Sequence, residues 1–209
     1  MLRNQLRPAI VLTLVLCVIT GLAYPAVVTG IAQLLFPAQA NGSLVSANGR
    51  VVGSALIGQS FTREWYFHSR PSNAGSGYDA TASAGTNKGP TDLKLADTLI
   101  AQSVDAAIAA DGAVRGQIPT DMVTRSASGL DPHISPANAM LQVARVARAR
   151  AVDSTAIHAL VQRHVEGRQF GFFGEPRVNV LLLNLALDSA FARPAAPLSD
   201  ASPVPQPVR

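Results

Sequence analysis

AIVLTLVLCVITGLAYPAVVTGIAQLLF, residues 9–36, decides the architecture of this 209-residue chain. It lies within a run from Pro8 to Gly49 that holds no Asp, Glu, Lys or Arg over 42 residues. About 20 apolar residues suffice to cross a bilayer as a helix, and this stretch offers 28. Eleven Leu, Ile and Val fall between Ile10 and Val28, each contributing roughly −0.3 to −0.6 kcal/mol on an insertion scale. In lipid the backbone must bond to itself, so a helix is the form expected of the segment. A cleaved secretory signal is the rival reading, and Ala38-Gln39-Ala40 resembles its small-x-small processing site. Signal cores run about 7–15 residues, however; the length favours a retained anchor.

The anchor is bounded by Ala9 and Phe36. Tyr24-Pro25 interrupts it, and Pro25 removes one backbone donor, so a kink is expected there. A straight 28-residue helix would also overshoot the hydrocarbon core of about 30 Å. Gly21 and Gly30 permit close packing against another helix, although they are nine apart and do not form a GxxxG pair. Arg3 and Arg7 precede the anchor and the next charge is Arg50. By the positive-inside rule residues 1–8 are cytoplasmic and the chain from 37 onward is extracytoplasmic.

The anchor also accounts for a composition of 48% hydrophobic and only 14% charged residues, well below the usual quarter. A single cysteine, Cys17, excludes a disulfide scaffold. Residues 37–193 are long enough for one extracytoplasmic domain with its own core, while the Pro-rich residues 194–209 read as a disordered tail.

Within that domain Asn48-Gly49 suits a tight primed turn, which predicts a β-hairpin over 42–61. Residues 63–67 read as a further strand. From Pro71 to Thr91 there is no Leu, Ile, Val, Met or Phe, and a loop that long is often functional. A helix follows from Asp92, capped by Thr91, with Ala96, Leu99, Ile100, Val104 and Ile108 on one face until Asp111-Gly112. Ser135-Pro136 opens another to about Arg150. Asp153 or Ser154 caps a third, with Ile157, Leu160, Val161, His164 and Val165 inward. Glu175-Pro176 opens a last, largely buried helix; the alternative is a strand over 178–182 before a shorter helix. The fold class is α+β: one transmembrane helix, then a mixed domain in which helices outweigh strands.

Catalytic chemistry finds little support. His158 and His164 are six apart, which sets them on opposite sides of a helix rather than in an i, i+4 zinc pair. No G-x-S-x-G elbow supports a triad, and Asp131-Pro132-His133 reads as a turn in which Asp bonds local backbone. Gly85-Thr86-Asn87-Lys88-Gly89-Pro90-Thr91 lacks phosphate-loop order. Arg145, Arg148 and Arg150 read as a solvated helix face. Outside the first seven residues, fifteen basic residues face thirteen acids, too even a balance for nucleic acid. No catalytic, cofactor or metal residues are assigned.

Several stretches then point together. LAYPAVVTGIAQL (22–34), GSALIGQSF (53–61), YFHSRP (66–71), AGTNKGPT (84–91), SGLDPHISPANAMLQV (128–143) and GFFGEPRVNVLLLNLALD (171–188) resemble, in this order, the C subunit of the Kdp potassium-transporting P-type ATPase. The likeness covers residues 8–190. It implies a non-catalytic single-pass subunit of the bacterial inner membrane, needed for assembly, in a complex that handles ATP and K⁺. The implied partners are membrane lipid, a channel-like potassium-translocating subunit, an ATP-hydrolysing P-type subunit and a small hydrophobic subunit. A catalytic-chaperone role, raising the ATP affinity of the hydrolysing subunit, is also implied. Arg70, Asn87, Asp131 and Glu175 lie in the matching motifs and are candidates for partner contact or, equally, for loop support. A free-standing anchored sensor or small-ligand-binding protein is the competing class.

Overall fold

The computed structural model describes residues 2–194. Of the expected tail only Pro194 falls among them. The chain divides into two compact units, with the boundary between Ser54 and Ala55.

The first unit begins with a continuous apolar helix. Helix α1 (Leu2–Val18) passes through a wide turn, Ile19–Ala23, into α2 (Tyr24–Leu35). Residues Asn4–Leu35 form a span of 32 residues with none of it buried. The expected interruption at Pro25 takes the form of this widened turn. Tyr24 N–H reaches back five residues to Ile19 O, which makes room for the proline ring without ending the helix. Thr20 Oγ1 donates to Leu16 O across 2.7 Å. Phe36 leaves helical geometry, and a single turn, α3 (Pro37–Ala40), follows.

Strands β1 (Leu44–Ala47) and β2 (Arg50–Ser54) form the hairpin expected around Asn48-Gly49. Both turn residues have positive φ, 52° and 75°, the requirement of a type I′ turn. The hairpin belongs to the same compact unit as the apolar helix.

In the second unit the wide turn Lys94–Ile100 leads into α4 (Ala101–Asp111). Asp92, not Thr91, starts it: Asp92 Oδ1 accepts Lys94 N–H at 2.9 Å. Gly112, at φ 66°, ends it as expected. The short α5 (Thr120–Val123) and β3 (His133–Ile134) precede α6 (Pro136–Arg150). Ser135 caps α6, its Oγ accepting Asn138 N–H. Then come α7 (Ser154–Arg163), β4 (Val165–Glu166), β5 (Arg177–Asn179) and α8 (Val180–Ala190).

The last helix therefore starts later than Glu175-Pro176. Asn179 Oδ1 accepts Leu182 N–H and caps α8, while 177–179 pair as the middle strand of an antiparallel sheet ordered β3-β5-β4. β-Branched Val178 and the cap-forming Asn179 favour that outcome over an earlier helix. Helices α6 and α8 pack on β5 and α7 packs on both of them, and Phe67, Ile134, Val146, Ile157, Val161, Val178, Leu183 and Leu187 form the core.

Residues 63–67 are not a strand. They run as an irregular ribbon whose backbone is bonded by side chains instead. Asn184 accepts Phe67 N–H and donates to Phe67 O, both at 2.9 Å. Gln142 does the same for His68, at 2.7 and 3.2 Å. Arg145 Nη1 donates to Tyr66 O and Arg150 Nε to Trp65 O. Arg145 and Arg150 are consequently buried, 4% and 6% exposed, which corrects the solvated-face reading for both; Arg148 alone of the three is exposed.

Candidate functional site

The long loop carries no helix or strand, as expected, yet it is tied down at its base. Ser72 Oγ donates to Gly129 O and accepts the N–H groups of Ala74 and Tyr78. Ala84 N–H donates to Ser128 O, and Ala74 is fully buried. Tyr78 hydroxyl donates to Arg70 O at 2.7 Å. Burial pushes that hydroxyl up to about 12, so it keeps its proton and serves as a donor. Gly129 sits in a tight place, with φ 69° and the backbone of Ala84 and Ala74 where a side chain would begin.

Three of the four candidate residues meet. Arg70, Asp131 and Glu175 line one open cleft of about 600 Å³, together with Asp121, His133, Ser135 and Arg177. Asn87 is elsewhere, exposed on the loop with φ 51°. Arg70 Nη1 donates to Asp131 Oδ2 at 2.9 Å. Asp131 Oδ1 accepts His133 N–H at 3.0 Å, the local turn bond expected of Asp-Pro-His. Burial acts to raise the Asp131 carboxyl, but the bonds from His133 and the Arg70 charge outweigh it and hold the group below the usual carboxylate range. Glu175 Oε2 accepts from Arg168 at 2.7 Å.

Asp121 was not foreseen. Its carboxylate takes Ser135 N–H at 2.7 Å, Ser135 Oγ at 2.8 Å and Asn138 Nδ2 at 2.9 Å. It braces the start of α6 from 14 residues upstream, and no local motif marks such a long-range cap. The Ser135 hydroxyl is thereby committed to Asp121 and offers no Ser–His pair for nucleophilic chemistry. Lys88 is likewise engaged by its own loop, 2.8 Å from Asp92 Oδ2. His68 is half-buried, and that burial followed by the Arg145 charge lowers its pKa, favouring the neutral ring. His164 is half-buried, its Nδ1 2.9 Å from Leu160 O. Among the described residues no three His, Cys, Asp or Glu are placed to hold a metal ion. The acids Asp121, Asp131 and Glu175 that line the cleft are thus already occupied by this chain's own donors.

Comparison with known proteins identifies the family. The family model described as K⁺-transporting ATPase, c chain, matches residues 6–189. The chain belongs to the KdpC family. A potassium-transporting ATPase KdpC subunit of Gemmatimonas aurantiaca is 63% identical over 190 residues, covering 90% of this chain and 94% of that one. Those of Koribacter versatilis and Myxococcus xanthus are 53% and 58% identical, covering 92% and 89% of this chain and 98% and 86% of theirs. KdpC membership makes the chain a subunit of the Kdp potassium-transporting ATPase complex.

Proposed function

We propose that the chain is the anchored, non-catalytic accessory subunit of an ATP-driven potassium-uptake complex, required for the complex to assemble and persist. Its N-terminus is cytoplasmic and residues 37–193 are extracytoplasmic, the orientation that Arg3 and Arg7 favour. The apolar helix packs against the channel-like potassium-translocating subunit, and the mixed unit braces the extracytoplasmic mouth of that partner. Coupling to the ATP-hydrolysing subunit, including any rise in its ATP affinity, runs through the anchor and the residues before it. The small hydrophobic subunit and lipid complete the surroundings of the helix.

The observation that carries this reading is the helix Asn4–Leu35, predominantly apolar and with no buried face, in a chain whose polar cleft is satisfied from within. A subunit that braces needs a rigid surface and a membrane address; it needs no reactive group. Affinity purification of the full chain from native membranes tests it. The expected result is recovery of the membrane partners in fixed ratio; recovery of the chain alone would favour an anchored sensor. Orientation is tested separately with Ala159→Cys, an exposed site on α7. A membrane-impermeant maleimide should label it in intact cells, and labelling only after lysis would reverse the topology.

A further inference from the structure

Between β4 and β5 the chain turns through Gln169-Phe170-Gly171-Phe172-Phe173-Gly174, and Phe170, Phe172 and Phe173 are 88%, 65% and 57% exposed. Aromatic side chains of this size ordinarily dominate a core, yet none of these three packs into the core of its own unit. The loop is preformed. Gln169 and Phe173 exchange both backbone bonds at 2.9 Å, and Gly171 N–H closes onto Arg168 O. Phe170 is held at φ 52° and Gly171 at 83°. The Phe172 and Phe173 rings lie 4.1 Å apart. A rigid tip presents these rings at little ordering cost.

Around the rings stands a charge-balanced rim. Arg168 pairs with Glu175 at 2.7 Å and Arg177 with Glu166 at 2.9 Å. Glu175 and Arg177 also line the cleft that holds Arg70 and Asp131, so the polar rim beside the tip is shared with the cleft. An aromatic centre inside a polar rim of both signs is the anatomy of a protein–protein hot spot. A lipid surface is the poorer match: headgroup contact draws on an excess of Lys and Arg, and here Glu166 and Glu175 offset the two arginines.

We infer that Phe170, Phe172 and Phe173 are the anchor by which the mixed unit seats on the extracytoplasmic face of an integral-membrane protein partner in the complex. That face offers an apolar pocket sized for the tip and flanked by charges complementary to Arg168, Glu175 and Arg177. The inference rests on the accessory-subunit reading above and names its contact.

The test uses the whole complex in native membranes. With p-benzoylphenylalanine in place of Phe172, irradiation should crosslink the chain to an integral-membrane partner protein; adducts with lipid alone would overturn the inference in favour of bilayer contact. Combined Phe170→Ser, Phe172→Ser and Phe173→Ser should lower partner recovery at least tenfold while leaving the circular dichroism of the purified chain unchanged, and Leu at the same positions should restore most of it. Full recovery with the serine variant would overturn the inference while leaving the accessory-subunit reading intact. Failure of the unmodified chain to recover partners would remove that reading and the inference together.

Discussion

Arg145 Nε lies 2.7 Å from Asp111 Oδ1, with the two side chains only 4% and 2% exposed. The pair joins α6 to the end of α4, 34 residues apart in sequence, and the same guanidinium holds Tyr66 O and Gln142 Oε1. Removing one member of a buried pair strands the other charge, which costs about 3–5 kcal/mol. Arg145→Met should therefore destabilise the detergent-solubilised chain by about that much in urea unfolding. Arg145→Met combined with Asp111→Leu should recover part of the loss, because neither charge is then left uncompensated.

Gly129→Ala should be among the most damaging small substitutions. The new Cβ would stand 2.7 Å from Ala84 O and 2.8 Å from Ala74 N, at a φ of 69°. Left-handed strain and overpacking together cost about 3 kcal/mol. Gly89→Ala, where nothing lies within 4 Å, should be neutral or stabilising by about 0.5 kcal/mol. Thermal melts of the two variants side by side check the contrast.

Acid should weaken the cleft. The Asp131 carboxyl titrates below its unfolded value because His133 and Arg70 favour its charged form over the burial that opposes them. A depressed carboxylate adds stability that is fully present above the unfolded pKa and is lost as pH falls through the folded one. The loss should begin near pH 4 and deepen below it. Asp188, held down by Arg193, Arg150 and Tyr66 against its burial, acts in the same direction. Asp131→Asn should shrink the acid slope of stability between about pH 4 and pH 2, leaving the Asp188 part in place. A slope unchanged by Asp131→Asn would show that the Arg70 pair contributes nothing to it.

A charge in the span should compromise membrane residence. Leu22 is exposed near the middle of the anchor, and Lys at a helix centre costs about 2.5–3.5 kcal/mol on insertion. Leu22→Lys should shift a measurable fraction of the chain into the alkaline-carbonate supernatant. Leu22→Ile should not.

Much of this architecture was legible because the informative signals are local. The charge-free run between Pro8 and Arg50, Asn-Gly at 48–49 and Ser135-Pro136 each act within a few residues of themselves, and each produced the expected element. The ribbon at 63–67 was misread because Trp65, Tyr66 and Phe67 carry strand propensity while the partners that decide its state, Gln142 and Asn184, lie up to 117 residues away. Arg145 and Arg150 were misread for the same reason, since helical spacing cannot show that backbone carbonyls wait on the inner face. Of the candidate site, Arg70, Asp131 and Glu175 came together, whereas Asn87 did not. Asp121 gave no local sign. Phe172 and Phe173 of the tip lie in the stretch 171–188 and Phe170 just before it, yet hydrophobicity alone cannot distinguish a ring that faces a core from one that stays exposed.

The side-chain-bonded ribbon also bears on the order of folding. Its backbone has no neighbouring strand to zip along, and its four bonds to Gln142 and Asn184 close loops of 74 and 117 residues. Loop closure of that length repays its entropy only when both ends are already organised. Phe67 and His68 therefore settle after α6 and α8 have come together, and their amides should acquire protection late in pulse-labelled hydrogen exchange. The ribbon is the clasp of the mixed unit, fastened last.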